Sequence, residues 1–234
     1  MVEHTYWVDL FAQSFYAYGR ANRYERRPSE ESKKALVKVL ERTYGNIDTV
    51  QKAMMRNVGP TRMEGGVIFQ GHRLHVLALL AKYRCDEASK KLLLEDTEEL
   101  AEFLKTAPSH TEESYPGWAW WVDNVDAYVS LKLADDLFKT DKHSALIAEW
   151  MAEIKKHEDH TGNVLAEAYG PYVAESQSRS SASAWLIPYF TLLDPEYAKS
   201  QMAAVDKAFS STLMGMPVMN EVPVGDEFVN SVPT

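Results

Sequence analysis

Ile68-Phe69-Gln70-Gly71-His72-Arg73-Leu74-His75-Val76-Leu77-Ala78-Leu79-Leu80-Ala81-Lys82-Tyr83 is apolar on nearly every side of a 3.6-residue period, which predicts a helix enclosed by other helices. Leu93, Leu100, Ala101 and Leu104 follow as one stripe between charges, as an outer helix would show. The contrast repeats. Trp118, Val122, Val125, Val129, Leu133 and Leu137 mark a second inner helix, and the helix through Ile147, Trp150, Met151 and Ile154 exposes charges again. A third pair runs from Ser181 to Leu193, interrupted by Pro188, and then through Ala198, Met202, Val205, Phe209 and Leu213. On the N-terminal side, Trp7, Leu10, Phe11, Phe15 and Tyr18 share one helical face, and Ser29-Glu30-Glu31 starts a helix with its stripe at Leu36, Val39 and Leu40. After Gly45 a short segment around Val50, Met54 and Met55 runs into Gly59-Pro60 and Gly65-Gly66, which predict an irregular connection before Ile68.

No segment alternates with a period of two, so the predicted class is all-α, built of successive helical hairpins of about 40–50 residues. No motif of a named solenoid family is present, which favours an α/α toroid of the (α/α)6-barrel kind, with inner-helix N-termini lining a cavity. Twelve helices with loops need well over roughly 300 residues, whereas about eight or nine are read here. The expectation is therefore one incomplete toroid-like domain over residues 1–234: a fragment, a natural truncation of a larger barrel, or a barrel closed by a partner chain.

Composition narrows the functional classes. Apolar residues make up 45 % and charged residues 25 % of 234, the proportions of a globular protein. The net charge of −9, with no basic cluster to reverse it, argues against nucleic acid and anionic membranes as partners. One cysteine, Cys85, excludes an intrachain disulfide and a cysteine zinc site. There is no signal-peptide pattern at Met1-Val2-Glu3-His4 and no apolar run of membrane-spanning length, so a soluble, cytoplasmic chain is expected. Homo-oligomerisation is left open.

His72 is the side chain best suited to proton transfer near neutral pH, although on the residues alone capping a backbone carbonyl or packing between helices is the commoner role of such a histidine. His75, three residues on, would complete a two-histidine metal pair, but no acidic third ligand stands beside them in sequence, and neither metal nor cofactor is expected. Tyr115-Pro116-Gly117-Trp118-Ala119-Trp120-Trp121-Val122-Asp123-Asn124 holds three of the six tryptophans. Trp118 sits at core spacing, whereas Trp120 and Trp121, being adjacent, cannot share one core. Among these rings Asp123 would be desolvated and hold a proton near pH 7, or else accept backbone amides from a neighbouring loop. Ser178-Arg179-Ser180-Ser181 supplies hydroxyls at an inner-helix start, and Glu221 reads as a surface acid unless the tail folds over the cavity mouth.

Phe15-Tyr16-Ala17-Tyr18-Gly19, Gly71-His72, Asn124 with Ala127-Tyr128-Val129-Ser130-Leu131, Ala184-Trp185 and Asp194-Pro195 carry, in order and spacing, a likeness that covers nearly all of the chain from about Phe15. In these stretches it resembles the linalool dehydratase-isomerase family, which has an (α/α)6 barrel. The resemblance implies a lyase or isomerase acting by acid/base dehydration or isomerisation on a small apolar, terpenoid-like alcohol. It places the family's acid/base histidine on His72. The family's two active-site cysteines fall on Ser114 and Asp123, and a catalytic tyrosine falls near Ser181. The expected roles are His72 as base and Asp123 as acid, with Phe69, Ser114, Tyr115, Trp118, Trp121 and Ser181 shaping the substrate pocket. Two alternatives stand beside this one. A carbohydrate-processing enzyme would pair Asp123 with Glu221, Glu112 or Glu113 at about 5–10 Å, and a binding or scaffold protein would have lost its catalysis.

Overall fold

A computed structural model describes residues 2–58, 63, 66–114, 119–158, 168–169 and 178–226. These form eight α-helices: α1 (Val2–Arg26), α2 (Glu30–Val58), α3 (Gly66–Arg84), α4 (Glu87–Thr106), α5 (Trp121–Phe138), α6 (Ser144–Ile154), α7 (Ser180–Leu193) and α8 (Pro195–Phe209). The all-α class read from the sequence is the class observed. No described helix is long and apolar enough to cross a membrane.

The helix ends follow local chemistry. At α2 the Ser29 hydroxyl accepts the Ser32 N–H at 3.1 Å while the Ser32 hydroxyl accepts the Ser29 N–H at 3.0 Å, so serine performs both halves of a capping box. Asp86 caps α4 through the Ser89 N–H, and those bonds hold its carboxyl below the usual range. Asp194 caps α8, with Pro195 at the first helical position.

α3 is apolar all round because it feeds two cores. Leu74, Leu77, Ala78 and Ala81 pack with residues of α4 to α8, while Ile68, Phe69, Val76, Leu79 and Leu80 pack with Leu10 and Ala17 of α1 and Leu36, Leu40 and Ile47 of α2. α3 lies against α5, α5 against α7, and α1 against α3, with α2, α4 and α8 packed outside them, so inner and outer helices alternate as predicted. The α3–α5 approach is the tightest. A Cβ on Gly71 would stand 2.8 Å from the Ala127 backbone nitrogen, and the Ser130 hydroxyl donates to the Gly71 carbonyl at 3.1 Å.

Three local expectations are corrected. Gly45 does not end a helix: α2 runs through it, because the stripe of Leu36, Leu40 and Ile47 continues into the core and outweighs one glycine. Leu213 is not in the last helix. α8 stops at Phe209, and a hairpin follows, β3 (Ser210–Leu213) against β4 (Met216–Met219), turned by Met214 and Gly215 at φ 51° and 81°, the paired positive values of a tight two-residue hairpin turn. The second inner helix starts at Trp121, preceded by a ribbon of β1 (Ala119–Trp120) and β2 (Ala168–Tyr169), and Trp118 lies outside the described residues.

The two helix glycines give opposite expectations. Gly71→Ala is expected to destabilise by about 1–3 kcal/mol through the α3–α5 contact. Gly45→Ala, with open space around it, should stabilise by about 0.5–1 kcal/mol. Urea unfolding of both variants checks the pair, and equal effects would contradict the packing.

Candidate functional site

With Gly71 allowing contact, α5 brings Asp126 against the next turn of α3. His75 and His72, three apart on one helical face, both turn Nδ1 to this carboxylate: 2.7 Å from His75 to Oδ1 and 3.3 Å from His72 to Oδ2. The side chains of Asp126 and His72 are 1 % and 2 % exposed. The Tyr18 hydroxyl of α1 lies 2.9 Å from His72 Nδ1, and its ring stacks on His75 with centroids 3.9 Å apart. Tyr189 of α7 faces the same carboxylate, whose charge acts on its hydroxyl. Four inner helices thus converge on one carboxylate.

The electrostatics follow from burial and neighbours. Burial alone would raise Asp126, but His72, His75 and Tyr189 hold it below the ordinary aspartate value, so it is ionised at neutral pH. Burial pushes His72 down; Asp126 opposes this and His75 adds to it, and the ring is neutral. The Asp126 carboxylate beside Nδ1 favours the tautomer with its proton on Nδ1, which leaves Nε2 to accept a proton. Burial and the Asp126 charge raise both Tyr18 and Tyr189, which keep their protons.

Asp123 stands one turn before Asp126 on α5. Burial raises it to about 7; Ser114 opposes that by hydrogen bonding, and the Asp126 charge adds to it. The loop contact considered for Asp123 belongs to its neighbour. Asn124 accepts the Glu112 N–H at 2.9 Å and donates to the carbonyls of Glu112 and Trp120 at 3.0 and 2.8 Å.

Beside this cluster, between α1 and α7, lies a pocket of about 470 Å³ lined by Phe15, Tyr18, Ser181, Ala184, Trp185, Pro188 and Tyr189. Phe15 and Phe11 meet Trp185 edge-on at 4.7 and 5.0 Å, and both phenylalanines also meet the His72 ring edge-on. His72 therefore sits directly behind the aromatic wall.

Of the residues read from sequence, the structure brings Ser181 to the pocket and His72 behind it, and joins Asp123 to Ser114. Phe69 and Trp121 are corrected: both are core side chains, Phe69 with α1 and α2, and Trp121 with α5's own core and the His157 ring at 5.5 Å. Tyr115 and Trp118 lie outside the described residues. Glu221 does reach the pocket mouth, where it accepts the Ser181 hydroxyl at 2.6 Å and its carbonyl accepts the Ser180 N–H. No carboxylate lines the pocket among the described residues, so the pair needed for sugar hydrolysis is not brought together there. An acid does stand beside His72 and His75 after all, although no group of three or more His, Cys, Asp or Glu among the described residues is arranged to hold a metal ion.

Asp126, Tyr189 and the wall role of Trp185 were missed. The signal for Asp126 was a charge between Val125 and Ala127 on a helix read as inner, where a carboxylate demands a buried partner. In comparison with known proteins, no family model matches the chain, and no curated protein matches it.

Asp123 gives a pH expectation. Its folded value of about 7 exceeds the unfolded 3.8, so the native state binds the extra proton and stability falls as pH rises from about 4 to 7. Asp123→Asn removes that loss. Relative to the parent it should gain about 2–4 kcal/mol between pH ~4 and ~8, read by urea unfolding at each pH; a pH-independent difference would contradict the assignment.

Proposed function

We propose that the chain is an acid/base lyase or isomerase that dehydrates or isomerises a small apolar, terpenoid-like alcohol, the activity its motif resemblance suggests. The observation that supports this best is a neutral His72, oriented by the buried carboxylate of Asp126, immediately behind an aromatic pocket. Asp123, which stands one turn before Asp126 on α5 and is not part of the pocket wall, is the acid assigned to protonate the substrate hydroxyl once the substrate reaches past that wall; the C–O bond breaks and water leaves. His72 Nε2 takes a proton from the adjacent carbon, and the C–H electron pair becomes the new double bond. Positive charge that develops between these events faces the rings of Phe15, Tyr18 and Trp185, whose π faces favour it. Asp126 stabilises the imidazolium that forms, and Tyr18 and Tyr189 hold Asp126 in place.

The two pKa directions suit these roles. Burial lowers His72 and so favours its neutral, basic form at neutral pH, and Asp123 is protonated below about 7. Turnover should therefore decline as pH rises through about 7.

The test is incubation with primary and tertiary monoterpene alcohols in deuterated water, with products and deuterium incorporation followed by gas chromatography and mass spectrometry. His72→Ala is expected to cut kcat by about 100-fold or more, and Asp126→Asn by about 10–100-fold. Asp123→Asn should also remove the decline near pH 7. Full turnover retained by both His72→Ala and Asp123→Asn would remove the residue assignment, and no turnover across the alcohols would remove the substrate class.

A further inference from the structure

At the opposite end of α1 from Phe11, Arg20, Arg23 and Arg27 recur at three and four residues and face a hollow of about 290 Å³ against the start of α2, where Tyr24, Glu31 and Ala35 complete the wall. Some cations elsewhere in the chain are paired, Lys82 with Glu25, Lys105 with Glu102 and Lys155 with Asp194, and others among the described residues stand alone on the surface, but these three share one hollow. Among the described residues no carboxylate comes within 4 Å of any of the three arginines, although acids outnumber bases by 34 to 25 in the chain. Cations at the carboxyl end of a helix complement its dipole, which accounts for their presence on the last turns of α1. It does not account for three of them turned into one concavity without counter-ions.

We infer that this hollow is a binding site for a phosphate monoester. Three guanidinium charges and the single Glu31 carboxylate leave the wall formally doubly positive, which matches a phosphate monoester dianion at neutral pH. Guanidinium forks suit its oxygens, each able to donate two parallel N–H bonds. The amino end of α2, with its first-turn N–H groups, adds to the same positive field. Ser29 and Ser32 are bonded to each other and shape the rim rather than supply free hydroxyls. Space beyond a phosphate group, beside the Tyr24 ring, leaves room for a small organic substituent.

The site stands apart from the acid/base cluster and does not depend on its reading. The experiment titrates the full chain with inorganic phosphate and with glycerol 3-phosphate by calorimetry in about 100 mM chloride, where exposed charges are already largely screened. A parallel arm sediments the chain with vesicles containing phosphatidic acid, which carries the same group on a lipid. Saturable binding in the soluble arm, weakened about tenfold or more in Arg23→Ala/Arg27→Ala and strengthened in Glu31→Gln, is the expected result. Binding in the vesicle arm alone, with the same arginine dependence, supports the same chemistry and assigns its source to a lipid. Circular dichroism and thermal unfolding establish that the variants fold, and Arg20→Ala serves as the second variant if the double one does not. No saturable binding in either arm, or binding that the arginine variants leave unchanged, overturns the proposal.

Discussion

An ionised carboxylate buried to 1 % exposure is costly unless neighbouring groups compensate it, and Asp126 finds one hydrogen bond from His75 and further polar neighbours on the helices around it. His72 and His75 come from α3, Tyr18 from α1 and Tyr189 from α7. This one charge makes each of those helices dependent on the position of the others. Gly71 is its precondition, since any side chain there would push α5 away from α3 and lengthen the contacts to both imidazoles. Fold and candidate site therefore rest on the same contact. A helix array held only by apolar packing would tolerate small shifts of α1 or α7, whereas hydrogen bonds to a buried charge tolerate few.

The same carboxylate separates two protonation states. Asp126 and Asp123 lie one turn apart on α5 and are both buried, yet one is held below the ordinary aspartate value and the other is raised to about 7. Burial raises both. Asp126 is compensated by two imidazoles and a phenol, while Asp123 has the Ser114 hydrogen bond and the repulsion of Asp126 itself. Two neighbouring carboxyls do not both ionise cheaply, so compensating one holds a proton on the other. A proton donor beside an oriented neutral imidazole is the arrangement that acid/base chemistry requires.

Much of this was legible in the sequence, in uneven ways. The run from Ile68 to Tyr83 could be placed at the centre because a helix with no polar face has to be covered on all sides, and the two cores it feeds are the physical reason. The raised Asp123 was legible because it follows closely on the rings of Trp120 and Trp121. What escaped depends on helical phase and on distant partners. Phe69 and Trp121 occupy the right stretches but the wrong faces, and Asn124, one residue beyond Asp123, took the loop contact. Tyr189 and Trp185 reach the site only because α7 packs on α5 and faces α1, a fact of topology with no local trace. Gly45 shows the reverse error, a local breaking signal overruled by the buried stripe around it.

The aromatic wall gives the buried charge its setting. Phe15 is 37 % exposed and stands with Trp185 between solvent and the His72 ring. Water admitted here would screen Asp126 from its partners and weaken each of those interactions, and it would also hydrate the imidazole whose burial keeps it neutral. Rings exclude water without presenting a competing hydrogen-bond group, and their edge-on contacts let the wall follow the shape of what it covers. Pro188 completes this side: lacking an N–H, it leaves the α7 carbonyl one turn earlier, that of Ala184, without its helical donor at the pocket. An apolar guest in the pocket would thus meet rings, the Ser181 side chain and, behind the rings, a neutral base, and its own exclusion of water would reinforce the charge pairing that orients that base.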